Sequence, residues 1–372
     1  MKKIVVICFL LSLPGLLLAQ FALTTGQKSI QFSGNITSFY NHRFYDEGEN
    51  NFDKNRFNLD FAMLRVQGLT SKQIRYELQM NFPSLYSDDV NEEFLMQATA
   101  EWRNRSNNFF IQAGYDKIPF TRASLVPQSE SVFLQRGEAS RGRTFLRRDM
   151  GITIQKGFFN RRLALMAGVY SGQGPGTITG DNDPSGNLLY VARLEAGYPV
   201  RDEHDETDRA HSPIPRFSAG VGVTYSEKDV TTGAEYPILT VNGKKLGYSA
   251  DVNMAWKGFA FHAEWIGFKV TPIDTTVLFG KPTNYFLAQG VITQLNYYFK
   301  KLKSTLAVRY DEFNPNDLIK GDTRQTVSFG YNYHIDGFDN VVKIHYFHRL
   351  KAENALEPWN ENQLRIGWQI LF

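Results

Sequence analysis

Along most of the chain apolar and polar side chains alternate with period two rather than 3.6, the pattern of strands with two unlike faces. The last segment is the cleanest: Leu364, Ile366, Trp368, Ile370 and Phe372 share one face, with Gln363, Arg365, Gly367 and Gln369 on the other. Ile74, Tyr76, Leu78, Met80 and Phe82 likewise oppose Gln73, Arg75, Glu77, Gln79 and Asn81. Sixteen such segments are predicted, starting near residues 31, 56, 73, 93, 108, 149, 162, 188, 216, 245, 258, 285, 303, 325, 341 and 362. The one at 56 changes phase near Ala62, which predicts a bulge.

Soluble sandwiches alternate too, so the polar face decides the class. It carries Arg75, Glu77, Asp251, His262, Glu264, Arg309, Asp311, Lys343 and Arg365. Small soluble barrels fill their interiors with apolar side chains, whereas a wide membrane barrel puts lipid outside and water inside. About ten residues per strand, tilted near 40°, span the roughly 25 Å apolar band of a bilayer. The expected fold is therefore all-β, a 16-stranded antiparallel transmembrane β-barrel. Phe39, Tyr40, Trp102, Tyr198, Trp256, Phe299 and Trp359 flank the segments and would form the interfacial girdles.

Connection lengths test the count. If residue 31 starts in the periplasm, every second connection should be a short turn, and most are. Pro199 to Pro215 breaks the rule, being long and acidic. It is either a disordered periplasmic excursion or a sign that the strand count fails there.

Composition narrows the class. Of 372 residues 42% are hydrophobic and 14% aromatic, and the formal charge is +3. No run beyond the N-terminus is long enough for a spanning helix, and the near-neutral balance points to no nucleic-acid partner. Lys2 and Lys3, the apolar run Ile4 to Leu18 and Ala19 have the layout of a secretory signal peptide. Residues 1–19 are thus expected to be removed and 20–372 to form the barrel. Cleavage takes away Cys8 and two lysines, leaving 39 basic against 38 acidic residues and no cysteine. Export to the cell outer membrane of a Gram-negative-type envelope follows. The final strand, ending on Phe372, resembles the recognition strand read by the outer-membrane barrel assembly machinery.

The longest connection, Pro119 to Arg148, is the third on the long-loop side, and it is expected to fold inward as a constriction. It holds Arg122, Arg136, Arg141, Arg143, Arg147 and Arg148 against Glu130 and Glu138, a net +4. An anion entering a narrow pore loses water and needs replacement donors, which the guanidinium fork supplies in pairs. Rings of Arg or Lys favour anions. Arg75, Arg193, Arg309, Lys343, Arg349 and Arg365 could extend the path along the wall. The alternative for each is a lipid headgroup or an ion pair with Glu77, Glu195 or Asp311. Ser129 to Arg141 could make a short helix, weakened by Gly137.

Gly114-Tyr115-Asp116-Lys117-Ile118-Pro119-Phe120 resembles the G-Q-F-K-x-P-F-G signature of the phosphate-selective porin O and P family, with Asp116 in place of the aromatic and Thr121 in place of the last glycine. Ala192-Arg193-Leu194, Ala307-Val308-Arg309-Tyr310-Asp311 and Val342-Lys343-Ile344-His345-Tyr346 are similar to the family's later strands. The resemblance implies a sixteen-stranded barrel assembled as a homotrimer, phosphate as the favoured anion, and Lys117 beside the loop that folds back into the pore.

Passive diffusion of small inorganic or organic anions is the expected function, with outer-membrane lipid as surroundings and no cofactor. A weakly selective general porin and a non-conducting adhesin or scaffold remain open. Asp181 to Gly186 has oxygen-rich spacing a calcium ion could use, but a plain turn explains it and no metal is expected. Asp202 to Asp208 reads as a solvated charge run. His262 and Glu264 could pair as base and partner, yet no serine nearby has a distinctive setting and no enzyme is expected.

Overall fold

A computed structural model describes residues 21–44, 54–86, 94–140, 144–172, 174, 186–199, 204–228, 241–350 and 362–372. The predicted signal peptide, Arg141, Arg143, Trp359 and Asp181 to Ser185 lie outside them. A short strand β1 (Phe21–Thr25) precedes the barrel and pairs with the start of β2. The first eight staves are β2 (Lys28–Phe44), β3 (Lys54–Ser71), β4 (Ile74–Asn81), β5 (Leu95–Arg103), β6 (Phe109–Lys117), β7 (Arg148–Phe158), β8 (Leu163–Tyr170) and β9 (Leu189–Tyr198). The second eight are β10 (Arg216–Lys228), β11 (Gly243–Trp256), β12 (Phe259–Pro272), β13 (Phe286–Phe299), β14 (Ser304–Asn314), β15 (Arg324–Asp336), β16 (Asn340–Leu350) and β17 (Asn362–Leu371).

Each stave pairs antiparallel with its neighbours in sequence, and β17 closes on β2 from Asn362↔Phe44 to Leu371↔Asn35. The sixteen begin within three residues of the positions that alternation predicts. The phase change near Ala62 is a bulge: Thr37 faces Phe61 and Ser38 faces Leu59, so Asp60 is the extra residue in the register. The long link between β9 and β10 does not disturb the count, because Phe217↔Tyr198 and the pairs beyond it join those strands directly.

The two faces of each stave differ as a membrane barrel requires. On β11 Tyr248, Ala250, Val252 and Trp256 are exposed, while Lys245, Ser249, Asp251 and Asn253 are buried inside. Leu194, Val221, Leu295, Phe329 and Ile366 stand outward and exposed in the same way. Such a band of large apolar side chains is stable against lipid, not water. Trp102, Tyr198 and Trp256 belong to it, but Phe39 is buried on the inner face with Asn35, Thr37 and Asn41. Neighbouring residues on a strand face opposite ways, so Phe39 and Tyr40 cannot both meet lipid. Val252→Arg, about midway along β11, is expected to cost roughly 2–4 kcal/mol in denaturant unfolding from lipid vesicles. A change below about 0.5 kcal/mol, usual for a water-exposed site, would contradict a lipid-facing wall.

The interior is less uniformly polar than the alternation suggests. Near the long-loop end, inward side chains Val191, Ile266, Phe268, Val270, Phe286 and Phe313 join Ile118, Phe120, Phe145 and Leu146 in one buried cluster. Part of the barrel's inside is therefore a dry core between wall and loop.

Candidate functional site

The basic loop leaves β6 at the family-like motif. Gly114 takes φ +131, and a Cβ there would meet the Ala98 carbonyl oxygen at 2.1 Å, so both backbone and space demand glycine. Helix α1 (Arg122–Leu125) follows. The Thr121 hydroxyl caps it by accepting from Ser124 N at 3.0 Å. From the wall, the Glu264 carboxylate of β12 accepts the backbone N–H groups of Arg122 at 2.6 Å and Ala123 at 3.0 Å. Cations take the carbonyls at the other end, where helix partial charge is negative. Lys117 Nζ donates to Leu125 O at 2.9 Å, and Arg136 to Val126 O at 2.7 Å and to Ala123 O.

The described part of the predicted helix, Ser129 to Ser140, does not form one helix. Single 3₁₀ turns occupy Gln128–Glu130 and Glu138–Ser140. Between them the backbone bonds to side chains rather than to itself. Val132 N donates to Glu206, Leu134 N to His345 Nδ1 at 3.1 Å, and Glu138 N to Asp311 at 3.1 Å. Carbonyls are met as fully, Ser131 O by Lys343 Nζ at 2.8 Å, Val132 O by Asn332 at 2.9 Å and Ser129 O by Gln369 at 2.7 Å. A buried irregular backbone persists only when its polar groups are paired, and here the inner wall pairs them.

That pairing fixes the places of the predicted wall residues. Arg193, its side chain fully buried, reaches Glu195 at 2.8 Å and Asp251 at 2.6 Å, and donates to Phe120 O at 3.3 Å. Arg309 meets Asp311 at 3.2 Å, donates to Gln135 O at 2.7 Å and lies over the Phe133 ring at 4.6 Å. Lys343 is fully buried against Ser131. Arg365 lies over Phe39 at 4.9 Å and donates to Gln363 at 2.9 Å, and Arg349 is half-buried near the end of β16.

The loop's own cations gather. Arg148, Arg136 and Arg147 are within electrostatic reach of Lys117, together with Asp116. Burial pushes the Arg136 guanidinium down to about 10, which still leaves it charged at neutral pH. Arg122 is buried apart from them, donating to Asp205 O at 3.0 Å.

A second group lies on the inner wall of β3 to β5. Arg65 pairs with Glu77 across strands and keeps 43% of its side chain exposed; Arg103 pairs with Glu101 and keeps 36%. Arg75, half-buried and opposite Glu101, stands between them. Alternation names Arg75 but passes over Arg65 and Arg103. Arg65 could have been found by carrying the phase past the Asp60 bulge, and Arg103 by its place two residues beyond Glu101 on one face. Glu130 links the two groups, lying within reach of Lys117 and Arg65; burial, then Asp205, raises its pKa.

The charge run predicted to be solvated is folded where it is described. Glu206 accepts from Val132 N at 2.7 Å and Ser131 Oγ at 3.3 Å while Asn296 holds its carbonyl at 2.8 Å. Asp208 is buried; burial alone would raise its pKa, but hydrogen bonds from Ser212 and Gly258 hold it below the usual carboxylate range. Arg209 stacks at 3.9 Å on Phe338 of the β15–β16 turn. The described part of the β9–β10 link, from His204 on, thus packs against the short turns and braces the basic loop from below.

The family model for phosphate-selective porin O and P matches residues 30–258. Among solved structures the chain is similar to OmpF of Salmonella typhi, 12% identical with a TM-score of 0.61 over 95% of this chain and 100% of that one. An anion-selective porin from Comamonas acidovorans is 10% identical with a TM-score of 0.59, over 93% of this chain and 100% of that one. OmpT of Vibrio cholerae in its trimer form gives the same identity, score and coverage. At these identities the likeness is one of fold. No curated protein matches the chain by sequence.

Proposed function

The chain belongs to the phosphate-selective porin O and P family and is an outer-membrane porin, and from that premise we propose that it passes small anions, phosphate the favoured one, through a passage between its basic loop and the wall of β3 to β5. The observation that carries this reading is the division of labour among interior cations. Arg193, Arg309 and Lys343 are occupied with loop carbonyls and carboxylates. Arg65, Arg75 and Arg103 are only partly buried on the inner wall, and Arg65 shares the carboxylate of Glu130 with Lys117. An anion drawn into that passage exchanges water for N–H donors at several spaced groups, none enclosing enough to hold it, and moves on. The segment 119–148 is the constriction, and no cofactor enters the mechanism.

The same premise supports a homotrimer, export after cleavage behind Ala19, and assembly through β17 and the terminal Phe372. The pairing of Arg65 with Glu77 and of Arg103 with Glu101 favours a second reading, a weakly selective porin, because those carboxylates offset the wall's charge. Current block separates the two. Inorganic phosphate added to a chloride solution lowers single-channel current if phosphate binds along the path. Unchanged current favours weak selectivity, and folded protein with no conductance at all favours a scaffold.

A further inference from the structure

A groove of about 510 Å³ runs along the outer wall, lined by Phe259 of β12, Leu295 and Tyr297 of β13, Leu306 of β14, and Phe329 and Tyr331 of β15. Nearly all its lining is apolar. A groove facing lipid tails needs no explanation by itself; what lies at its short-turn end gives it one. The β13–β14 turn reads Lys300-Lys301-Leu302-Lys303, all exposed, and begins three residues beyond Tyr297, which pairs with Leu306. Lys257, also exposed, occupies the β11–β12 turn two residues before Phe259, whose ring lies 4.4 Å from Tyr297. Four ammonium groups therefore stand at the mouth of one apolar groove, with Leu302 exposed among them.

We propose that this face is a binding site for an anionic glycerophospholipid of the periplasmic leaflet, headgroup phosphate on Lys257, Lys300, Lys301 and Lys303 and acyl chain in the groove. The charge pattern selects the occupant. Lysines at the membrane surface attract anionic headgroups at about 1 kcal/mol each, and their stems reach along apolar surface while the amines stay in the polar zone. Lys257 already lies 4.7 Å from the Trp256 ring, which fixes one amine at the depth of the aromatic belt. The groove continues onto Ile344 and Tyr346 of β16 and Leu364 of β17, and the β15–β16 turn carries Asp336 and Asp339, so the positive patch is confined to the β11–β12 and β13–β14 turns. The site is independent of the anion path, being on the outside of the wall.

The test is the relative association of spin-labelled phosphatidylglycerol and phosphatidylcholine with full-length protein in phosphatidylcholine vesicles. Wild type is expected to favour the anionic lipid by at least about fivefold, the factor that a single lysine at about 1 kcal/mol supplies. The variant Lys300→Gln/Lys301→Gln/Lys303→Gln, confined to an exposed turn, is expected to bring the ratio near one. Leu306→Trp, which fills the groove and leaves every lysine in place, is expected to lower it as well. Equal ratios for wild type and the lysine variant would overturn the site. A ratio unaffected by Leu306→Trp would reduce it to general surface charge, and a subunit contact burying Leu306 and Phe329 would assign the face to a second copy.

Discussion

Replacing Arg193 by methionine is expected to destabilise the barrel by about 3–5 kcal/mol, the usual result of breaking a buried ion pair from one side. The guanidinium has no solvent exposure and lies between two carboxylates, Glu195 at 2.8 Å and Asp251 at 2.6 Å, whose own side chains are almost fully buried. Methionine fills similar volume but offers neither charge nor donor, so two desolvated acids are left facing each other, with His204 at 2.8 Å from Glu195. The Phe120 carbonyl also loses a donor, though Ser249 still reaches it at 2.6 Å. Arg75→Met, on the accessible wall, should stay within about 0.5 kcal/mol of wild type. Denaturant unfolding of both variants from the same lipid checks the contrast. Equal losses would show that the two arginines are not in different situations.

Arg65→Glu together with Arg75→Glu should have the second large effect, on selectivity rather than stability. Both side chains lie on the accessible inner wall, and the two changes move it by four charges. A shift of about 1.4 kcal/mol in the electrostatic cost of an anion is a factor of ten, so the anion-to-cation permeability ratio should fall by at least that order. Glu77 loses its partner in the same variant, which adds to the negative wall. Arg309→Met serves as the comparison. Its loss exposes Gln135 O and Asp311 and should loosen the loop, raising current noise more than it alters selectivity. A selectivity change confined to Arg309→Met would place the path elsewhere.

The barrel could be read from the chain because lipid enforces period two on every stave, and a slip of one residue would turn a whole strand inside out. Even the bulge at Asp60 leaves a trace in the order of side chains. The roles of the arginines leave none. Arg193 meets an aspartate 58 residues away, and Arg309 a carbonyl 174 residues away. Which inner residues stay accessible depends on where the loop lies, not on alternation. The apolar patch made by Ile266, Phe268 and Val270 was hidden for a related reason. Their inner positions look like any others until Phe120 and Phe145 are packed against Phe268, at ring distances of 5.5 and 6.1 Å. The folding of the charge run Asp202 to Asp208, described from His204 on, escapes the sequence because a run of acids suggests solvent, whereas Glu206 and Asp208 each accept backbone N–H groups.

The most direct test of the central claim is the reversal potential of the wild-type porin in a planar bilayer under a potassium chloride gradient. An anion-selective sign is expected, because Arg65, Arg75 and Arg103 stay partly accessible on the inner wall. A cation-selective sign would contradict it.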